Sequence, residues 1–356
     1  MFWTVVLTGL AISLALNLAL TRPAIRLAER FGFLDRPGRH KRHEHPVPVV
    51  GGPLLFMSVW TALVVCLFAF PGFFEDFADS LLYVFAGALI ILLVGISDDL
   101  RPLSAWTKLL AQVAVGLVLH IGGLRIDPIT VPFVGSIAIG SWSLVVTIVW
   151  VVMLTNAINL IDGLDGLATG VSLIAAITMA VVAHLYAAGQ AVWFAYALVG
   201  FLSVFLFFNR HPAKAFLGDS GSLQLGYYFA VMSLMVPLKS FTAAALYIPL
   251  VTLAVPLLET AISISRRLVS GRNVMQADRR HLFHYLAVAG LSPRAIVTVF
   301  YLLSAGFGLF AVAMFFWDRK LVFGVLVIFM VVIFLGFFIF MAKSGRIARR
   351  VSDRSV

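Results

Sequence analysis

Residues 141–170, SWSLVVTIVWVVMLTNAINLIDGLDGLATG, decide how this chain folds. The first part of the stretch is an apolar run of about 20 residues, the length that an α-helix needs to cross the hydrocarbon core of a bilayer. The run then ends in a dense set of amides, carboxylates and glycines. This pattern predicts a membrane helix that leads directly into a polar site.

The composition of the whole chain agrees with that interpretation. Of its 356 residues, 62% are hydrophobic and 12% are charged, whereas a soluble domain carries about 25% charged residues. So little polar surface cannot cover a globule in water. Apolar spans recur at 2–21, 48–70, 81–97, 107–123, 142–160, 167–187, 191–208, 222–238, 241–265, 296–316 and 321–342. We predict an all-α polytopic membrane protein of about eleven transmembrane helices, with residues 1–356 forming a single domain.

The distribution of basic residues predicts the orientation of these spans. The side that holds loop 22–47 carries 22 of the 26 Lys and Arg residues, and such an excess marks the cytoplasmic side. The N-terminus is then outside and the C-terminus inside. The net charge of +10 is explained in this way, without a nucleic-acid partner. The predicted cytoplasmic loops are 22–47, 98–108, 160–166, 209–219 and 266–295.

Two further features of the sequence limit its structure. Segment 124–140 is broken by Asp, Pro and Gly, and its alternating pattern predicts a short external β-hairpin. The chain has a single cysteine, Cys66, within an apolar run. A disulfide within the chain and a cysteine-based metal site are therefore excluded.

Carboxylates gather on the predicted cytoplasmic side, although each carboxylate near hydrocarbon costs a few kcal/mol. Asp98 and Asp99 end the third span, and Asp219 precedes the eighth. Adjacent aspartates repel each other and persist most easily beside a cation; Lys108 could neutralise one of them. Oxygen ligands of this kind suit Mg²⁺. The alternatives are a charged stop signal at the helix end for the pair, and an N-cap for Asp219.

The segment NAINLIDGLDGL is more specific. Asn156 and Asn159 are three residues apart and face one side of the helix end, and Asp162 and Asp165 repeat that spacing. The neighbouring glycines let a ligand approach the backbone closely. A polar loop that caps two helices is the alternative to a site for a nucleotide or diphosphate with a hard cation.

Basic segments supply candidate phosphate contacts. His281 and His284 share one helical face, and because Arg is well suited to phosphate oxygens, the adjacent Arg279 and Arg280 favour phosphate binding over metal binding or a solvated basic face. The first loop also contains histidines and basic residues, among them Lys41, Arg42 and His43. They suit an anionic lipid headgroup, although the positive-inside rule alone also explains their charge.

The order of these motifs resembles the polyprenyl-phosphate N-acetylhexosamine-1-phosphate transferase superfamily over almost the whole chain. The resemblance is carried by PVPVVGG (46–52), the Asp-Asp pair, NAINLIDGLDGL, FLGDSGS (216–222) and ADRRHLFH (277–284). The last motif is most similar to the WecA/TagO-type branch, which uses UDP-N-acetylglucosamine or a close relative. Members of that branch usually carry His at the position of Phe283, so this chain departs from the pattern there.

The resemblance implies roles for individual residues. Asp219 would be the principal ligand of Mg²⁺, with Mn²⁺ as an alternative ion, and Asp98 and Asp99 would help to hold the metal and would orient or deprotonate the lipid phosphate. Catalysis would involve Asp162 as well. Substrate would be bound by Lys41, Arg42, His43, Asn156, Asn159, Asp165, Asn209, Arg279, Arg280, His281 and His284.

The implied substrates are a UDP-N-acetylhexosamine and a polyprenyl phosphate in the bilayer, and a homodimer is a further expectation. The runner-up within the superfamily is the MraY branch, which takes a muramyl-pentapeptide nucleotide. A secondary transporter is the alternative from another class, but transporters place key charges near the bilayer midplane and show repeats. A membrane scaffold does not explain the dense acidic motifs. A CDP-alcohol phosphotransferase is a further alternative, but this chain lacks the later paired aspartates that such an enzyme needs.

Overall fold

The chain is almost entirely helical in the parts that the structure, a computed structural model, describes: residues 1–36, 45–131, 135–235, 250–251, 253–269, 282–318, 321–333 and 335–336. The helices are α1 (Phe2–Phe31), α2 (Gly51–Ala69), α3 (Ala78–Leu100), α4 (Ala105–Ile121), α5 (Trp142–Ile161), α6 (Leu167–Leu185), α7 (Gly189–Asn209), α8 (Gly218–Met235), α9 (Ala254–Val269), α10 (Leu282–Val288), α11 (Pro293–Phe316) and α12 (Leu321–Ile333). Two 3₁₀ turns, Pro71–Phe73 and Glu75–Phe77, connect α2 to α3.

Within these residues, seven helices are long and apolar enough to cross a membrane: α1, α2, α3 with the preceding turn, α5, α6, α7 and α11. Helices α4 and α12 are apolar but shorter. Each of the eleven predicted spans overlaps one of the observed helices. The prediction of a polytopic helical membrane protein is confirmed, while the number of crossings and their orientation stay predictions.

Helix α1 is longer than the sequence predicted. We expected a span over 2–21 and a loop from 22, but the helix continues to Phe31 with Pro23 inside it. Residues 24–31 are rich in good helix formers, which keep the helix going after the apolar run ends. It stops at Gly32, whose left-handed φ of 74° only glycine adopts without strain.

Helix α8 is the central helix of the bundle, because nearly all its side chains from Ser220 to Ser233 are buried. Glycines allow its neighbours to approach closely. A Cβ added at Gly87 of α3 would lie 2.6 Å from the Tyr227 hydroxyl, and one at Gly226 would overlap the backbone of α5 at Leu154. This packing fixes the N-terminal end of α8, which carries Asp219, relative to α3 and α5.

Polar side chains join α1 to α7 inside the apolar bundle. Ser13 Oγ donates to the Ala197 carbonyl and Asn17 Nδ2 donates to the Phe201 carbonyl, both at 2.7 Å. Gly200 lies against the α1 backbone, where an added Cβ would approach the Leu10 carbonyl oxygen to 2.7 Å. These buried hydrogen bonds satisfy their polar groups and set the register of the two helices.

Two short strand pairs complete the described fold. Strand β1 (Leu34–Asp35) pairs antiparallel with β2 (Val47–Pro48). Strand β3 (Ile129–Val131) pairs antiparallel with β4 (Gly135–Ile137), with Ile129 opposite Ile137. The second pair lies in the segment for which we predicted an external hairpin; the side of the membrane on which it lies stays a prediction.

Candidate active site

The N-terminus of α8 is held by Asp99 at the end of α3. Asp99 Oδ1 accepts a hydrogen bond from the Asp219 amide at 2.7 Å, and Oδ2 accepts one from the Ser220 amide at 3.1 Å. The first amides of a helix have no partner within the helix, and their partial positive charge favours a carboxylate. Asp99 therefore fixes the backbone position from which Asp219 projects.

Small residues make this close approach of helices possible. Gly218 has a φ of +72°, and an added Cβ there would lie 2.7 Å from Asp99 Oδ2. Gly52 of α2 and Gly95 of α3 both lie directly against Ser220, where added Cβ atoms would overlap it. Two other helices thus enclose the start of α8, so this end of the helix has little room to move.

Segment 46–52 contributes backbone contacts to the same end of α8. Phe216 N donates to the Pro48 carbonyl at 2.8 Å, and Gly51 N donates to the Phe216 carbonyl at 3.1 Å. Val49 and Phe216 form a parallel bridge. The PVPVVGG and FLGDSGS motifs, far apart in sequence, are therefore neighbours in the structure.

Lys108 connects two of the predicted acidic residues. Its Nζ lies 3.0 Å from Asp98 Oδ2 and 2.9 Å from Asp219 Oδ2. The other oxygen of Asp98 accepts a hydrogen bond from the Leu103 amide at 2.6 Å, which closes the turn between α3 and α4. Carboxylates from α3 and α8 thus converge on one cationic nitrogen, and Lys108 neutralises one of the paired aspartates as the sequence indicated.

The two amides at the end of α5 contact different helices. Asn159 Nδ2 donates to Ser222 Oγ of α8 at 2.9 Å. Asn156 Nδ2 donates to Gln112 Oε1 of α4 at 2.6 Å. Sequence reasoning did not assign Ser222 or Gln112, although a glutamine within an apolar span was a usable signal.

Loop 162–166 is bonded to the turn that precedes α8. Asp165 Oδ2 lies 2.8 Å from His211 Nδ1 and accepts the Ala213 amide at 3.2 Å. Asn209 Oδ1 accepts the Gly166 amide at 3.2 Å, and Asn209 Nδ2 donates to the Ala215 carbonyl at 2.9 Å. Asn209 is buried and uses its amide to join these two loops; a contact with nucleotide stays a prediction.

Asp162 follows the last turn of α5 and lies among other acids. Desolvation, followed by the charges of Asp219, Asp99 and Asp165, raises the pKa of Asp162 to about 8. An accumulation of carboxylates that raises a pKa in this way disfavours further negative charge and favours a bound cation.

The donor set fits a divalent ion of the magnesium type. Mg²⁺ is usually bound through one or two carboxylates together with substrate phosphate oxygens and water. Asp98 and Asp219 already direct oxygens of two helices at one positive charge. Among the described residues, no group of three or more His, Cys, Asp or Glu side chains is placed to hold a metal ion. Two carboxylates directed at one positive charge are a donor set of the size that Mg²⁺ takes from a protein when phosphate oxygens supply the other ligands.

Several predicted residues lie outside the described part of the chain: Lys41, Arg42, His43, Arg279, Arg280 and His281. His284 lies within α10, of which the backbone is described at this position. Its neighbour Phe283 is buried against loop 162–166, since a Cβ added at Gly163 would lie 2.5 Å from the Phe283 ring. Phe283 of α10 and the acidic loop are therefore adjacent.

Tyr301 of α11 is a further contact that sequence reasoning missed. Its hydroxyl donates to the Gly166 carbonyl at 2.6 Å. A tyrosine within an apolar run carries no signal of its own that distinguishes it from other aromatic residues of a membrane helix.

Residues 81–237 match the model of glycosyl transferase family 4. A probable undecaprenyl-phosphate N-acetylglucosaminyl 1-phosphate transferase of Bacillus subtilis is 36% identical over 334 residues, covering 92% of this chain and 91% of the relative. A decaprenyl-phosphate N-acetylglucosaminephosphotransferase of Mycolicibacterium smegmatis is 33% identical over 308 residues, covering 78% of this chain and 74% of the relative.

A phospho-N-acetylmuramoyl-pentapeptide-transferase of Staphylococcus saprophyticus is 28% identical over 269 residues, covering 71% of this chain and 80% of the relative. The region of the family model includes Asp98, Lys108, Asp162 and Asp219, which the structure brings to one end of the bundle. By its sequence over nearly its full length, this chain belongs to glycosyl transferase family 4, the superfamily of polyprenyl-phosphate N-acetylhexosamine-1-phosphate transferases.

Proposed function

We propose that the chain transfers N-acetylglucosamine-1-phosphate from UDP-N-acetylglucosamine to a polyprenyl phosphate such as undecaprenyl phosphate and releases UMP. This would be the first membrane step of a cell-envelope glycan pathway. The names of the relatives from Bacillus subtilis and Mycolicibacterium smegmatis support the transferred group and the lipid acceptor. The observation that carries the proposal is the convergence of Asp98 and Asp219 on Lys108, next to loop 162–166.

Both substrates are anions, so their approach costs Coulomb energy that positive charge must offset. Mg²⁺, or Mn²⁺ in its place, would neutralise charge on the diphosphate. We assign its protein ligands to Asp219 and Asp98. In the net reaction a phosphate oxygen of the lipid forms a bond to the β-phosphorus, and the bond from that phosphorus to the UMP oxygen breaks.

The remaining residues have roles that their contacts support. Asp99 uses both oxygens on the α8 backbone, so its contribution is to position Asp219, and the orientation of the lipid phosphate falls to Asp98. Lys108 holds the Asp98 and Asp219 carboxylates together and adds positive charge beside the reacting phosphates. We assign nucleotide and sugar binding to loop 162–166, to the end of α5 and to the His segment.

The proposed location is the bacterial cytoplasmic membrane, with the active site on its cytoplasmic face. The excess of Lys and Arg in the loops of one side supports this orientation. UDP-sugars are polar and do not cross a bilayer unaided, so a site on the face that carries the basic loops suits a soluble cytoplasmic donor. A homodimer remains an expectation from the resemblance.

The test is a donor panel with the purified protein, Mg²⁺ and undecaprenyl phosphate. UDP-N-acetylglucosamine, other UDP-N-acetylhexosamines and UDP-muramyl-pentapeptide are each supplied, and UMP and the lipid product are measured. UMP release with UDP-N-acetylglucosamine is expected. Activity with the muramyl-pentapeptide nucleotide alone would move the chain to the MraY-like alternative, and uptake of substrate into vesicles without a lipid product would favour a transporter.

The metal assignment has its own variant. Asp219→Asn should lower Mg²⁺-dependent transfer at least ~100-fold, because it removes the charge of a proposed ligand, while the protein still inserts into the membrane. Asp79→Asn is the matched control, because Asp79 is an exposed acid in the first turn of α3. It therefore lies at the opposite end of that helix from Asp98 and the site. Full activity of Asp219→Asn would remove Asp219 from the metal site.

A further inference from the structure

Loop 162–166 contains two glycines, and a glycine-containing loop loses much conformational freedom when it is fixed. Gly166 has a left-handed φ of +77°. Its amide is bound by Asn209 at 3.2 Å and its carbonyl accepts the Tyr301 hydroxyl at 2.6 Å. Both polar groups of this residue are therefore held by side chains from other helices.

The opposite end of the loop is held by an aromatic ring. Phe283 is 3% exposed, and a Cβ added at Gly163 would lie only 2.5 Å from its ring. The ring thus packs directly on the backbone that follows Asp162. Because atoms in such tight contact resist displacement, the ring limits the movement of this backbone.

The two contacts come from neighbouring helices that carry no acidic site residue. Phe283 lies in α10 and Tyr301 in α11, which follow each other in the chain. Gly170 of α6 makes room for Tyr301, because a Cβ at Gly170 would overlap the tyrosine hydroxyl. The loop with Asp162 and Asp165 is consequently contacted from the C-terminal part of the bundle at both glycines.

We propose that Phe283 and Tyr301 are positioning residues for the transfer reaction: they clamp loop 162–166 at both of its glycines and so fix Asp162 and Asp165 against the nucleotide sugar. The inference rests on the proposed function and extends it to two residues that touch the loop rather than the reacting phosphates. It also gives Phe283, where related sequences of its branch usually carry His, a part that depends on the bulk of its side chain rather than on an ionisable group.

The first test uses Tyr301→Phe, which removes one hydroxyl and keeps the ring. A lost hydrogen bond on the loop should lower kcat about tenfold, with KM for polyprenyl phosphate within about twofold of wild type and the thermal midpoint almost unchanged. Tyr196→Phe is the control, because Tyr196 lies on α7 beside Trp3, next to the N-terminus. Wild-type kcat in Tyr301→Phe, or a lower midpoint with unchanged kcat per folded molecule, would overturn the clamp.

The second test is a double-mutant cycle at the Gly163–Phe283 contact. Gly163 is outside the left-handed region, so Gly163→Ala introduces a collision with the ring and little backbone strain. We expect Gly163→Ala to reduce kcat by about tenfold or more, and Phe283→Leu to restore part of that loss in the double variant. If Gly163→Ala lowered kcat by the same factor with Phe and with Leu at position 283, the proposal would be contradicted.

The thermal midpoints of the same four proteins separate this inference from the proposed function. Unfolding needs no substrate, so a positive coupling between the two positions supports the contact even if the wild-type chain transfers no sugar phosphate. An inactive wild type with coupled midpoints would therefore reject the proposed reaction and retain the clamp. Additive midpoints would reject the clamp.

Discussion

The Lys108 side chain offsets the negative charge of carboxylates from two helices. Its ammonium lies within 3.0 Å of carboxylates from α3 and α8, and its own side chain is 25% exposed. Without this charge, Asp98 and Asp219 would face each other uncompensated. The ammonium therefore supplies positive charge at the point where the two carboxylates meet.

The variant Lys108→Gln tests this balance. Transfer should fall about tenfold or more, because two uncompensated carboxylates would oppose the approach of the anionic substrates; tenfold corresponds to a barrier higher by about 1.4 kcal/mol. Added Mg²⁺ should raise the thermal midpoint of the variant more than that of the wild type. Arg125→Gln, at an exposed position after α4, is the control for loss of one positive charge. An equal Mg²⁺ response in all three proteins would show that Lys108 does not shield the two acids.

The raised pKa of Asp162 predicts a pH dependence of stability. Its folded value is about 8, whereas an unfolded aspartate titrates at about 4. Between these values the folded chain binds more protons than the unfolded chain, so stability without divalent ions should fall as the pH rises from about 4 to about 8. Thermal midpoints in EDTA measure this slope.

Asp162→Asn removes this carboxyl group and should make the slope less steep. Mg²⁺ should oppose the decline in the wild type, because a cation favours the ionised carboxylate. A slope that is as steep in Asp162→Asn as in the wild type would assign the pH dependence to other acids.

At the scale of elements, the start of α8 depends on the absence of side chains around it. A Cβ at Gly95 would overlap the backbone of Ser220, and the backbone moves less easily than a flexible side chain. The Asp99 carboxylate that holds this end of α8 lies one turn further along the same helix.

We therefore expect Gly95→Ala to destabilise the protein by about 1–3 kcal/mol through overpacking and to lower transfer by moving Asp219. Thermal unfolding in detergent and the UMP assay give the two values. Gly324→Ala in α12 has open space at its Cβ position, so it should leave transfer unchanged and should not lower stability. A neutral Gly95→Ala would mean that α8 can shift without loss of the site.

The boundaries of elements were predicted less well than their existence. Helix α1 was expected to end at residue 21, and it ends at Phe31. Hydropathy reports where the bilayer ends, whereas a helix continues for as long as its residues favour it and stops at a residue such as Gly32. The apolar runs therefore predicted the buried helices correctly and their polar extensions poorly.

At the scale of the whole molecule, the orientation of the bundle is open to a direct test. Cys66 is the single cysteine and is buried, so the natural chain is an unlabelled control for a membrane-impermeant maleimide. In intact cells Glu75→Cys should be labelled from outside. Arg101→Cys and Arg210→Cys, at exposed positions near the acidic loops, should react only after permeabilisation. Labelling of all three from one side would overturn the predicted orientation and the single cytoplasmic site.

The candidate site was predicted in its parts and only partly in its arrangement. The sequence identified Asp98, Asp162 and Asp219 because charged residues next to apolar spans are costly and need a reason. It did not predict that Asp99 would use both oxygens on the α8 backbone, nor that Asn209 would join two loops. Asp99 is separated from its two partners by 120 and 121 residues, and Asn209 is separated from Gly166 by 43 residues, so sequence spacing carries no information about these contacts.

The amino-acid sequence by itself determined that this chain lies in a membrane as a set of helices, since apolar length and the shortage of charge leave no other way to satisfy the backbone. It also determined which residue types are available for chemistry. The tertiary structure alone decided which of them meet: packing of α8 between α3 and α5 brings Asp98, Lys108 and Asp219 into contact, and α10 and α11 add aromatic contacts to loop 162–166. Helix packing depends on the shapes of surfaces that are distant in the chain, and this is the reason why no local pattern reveals it.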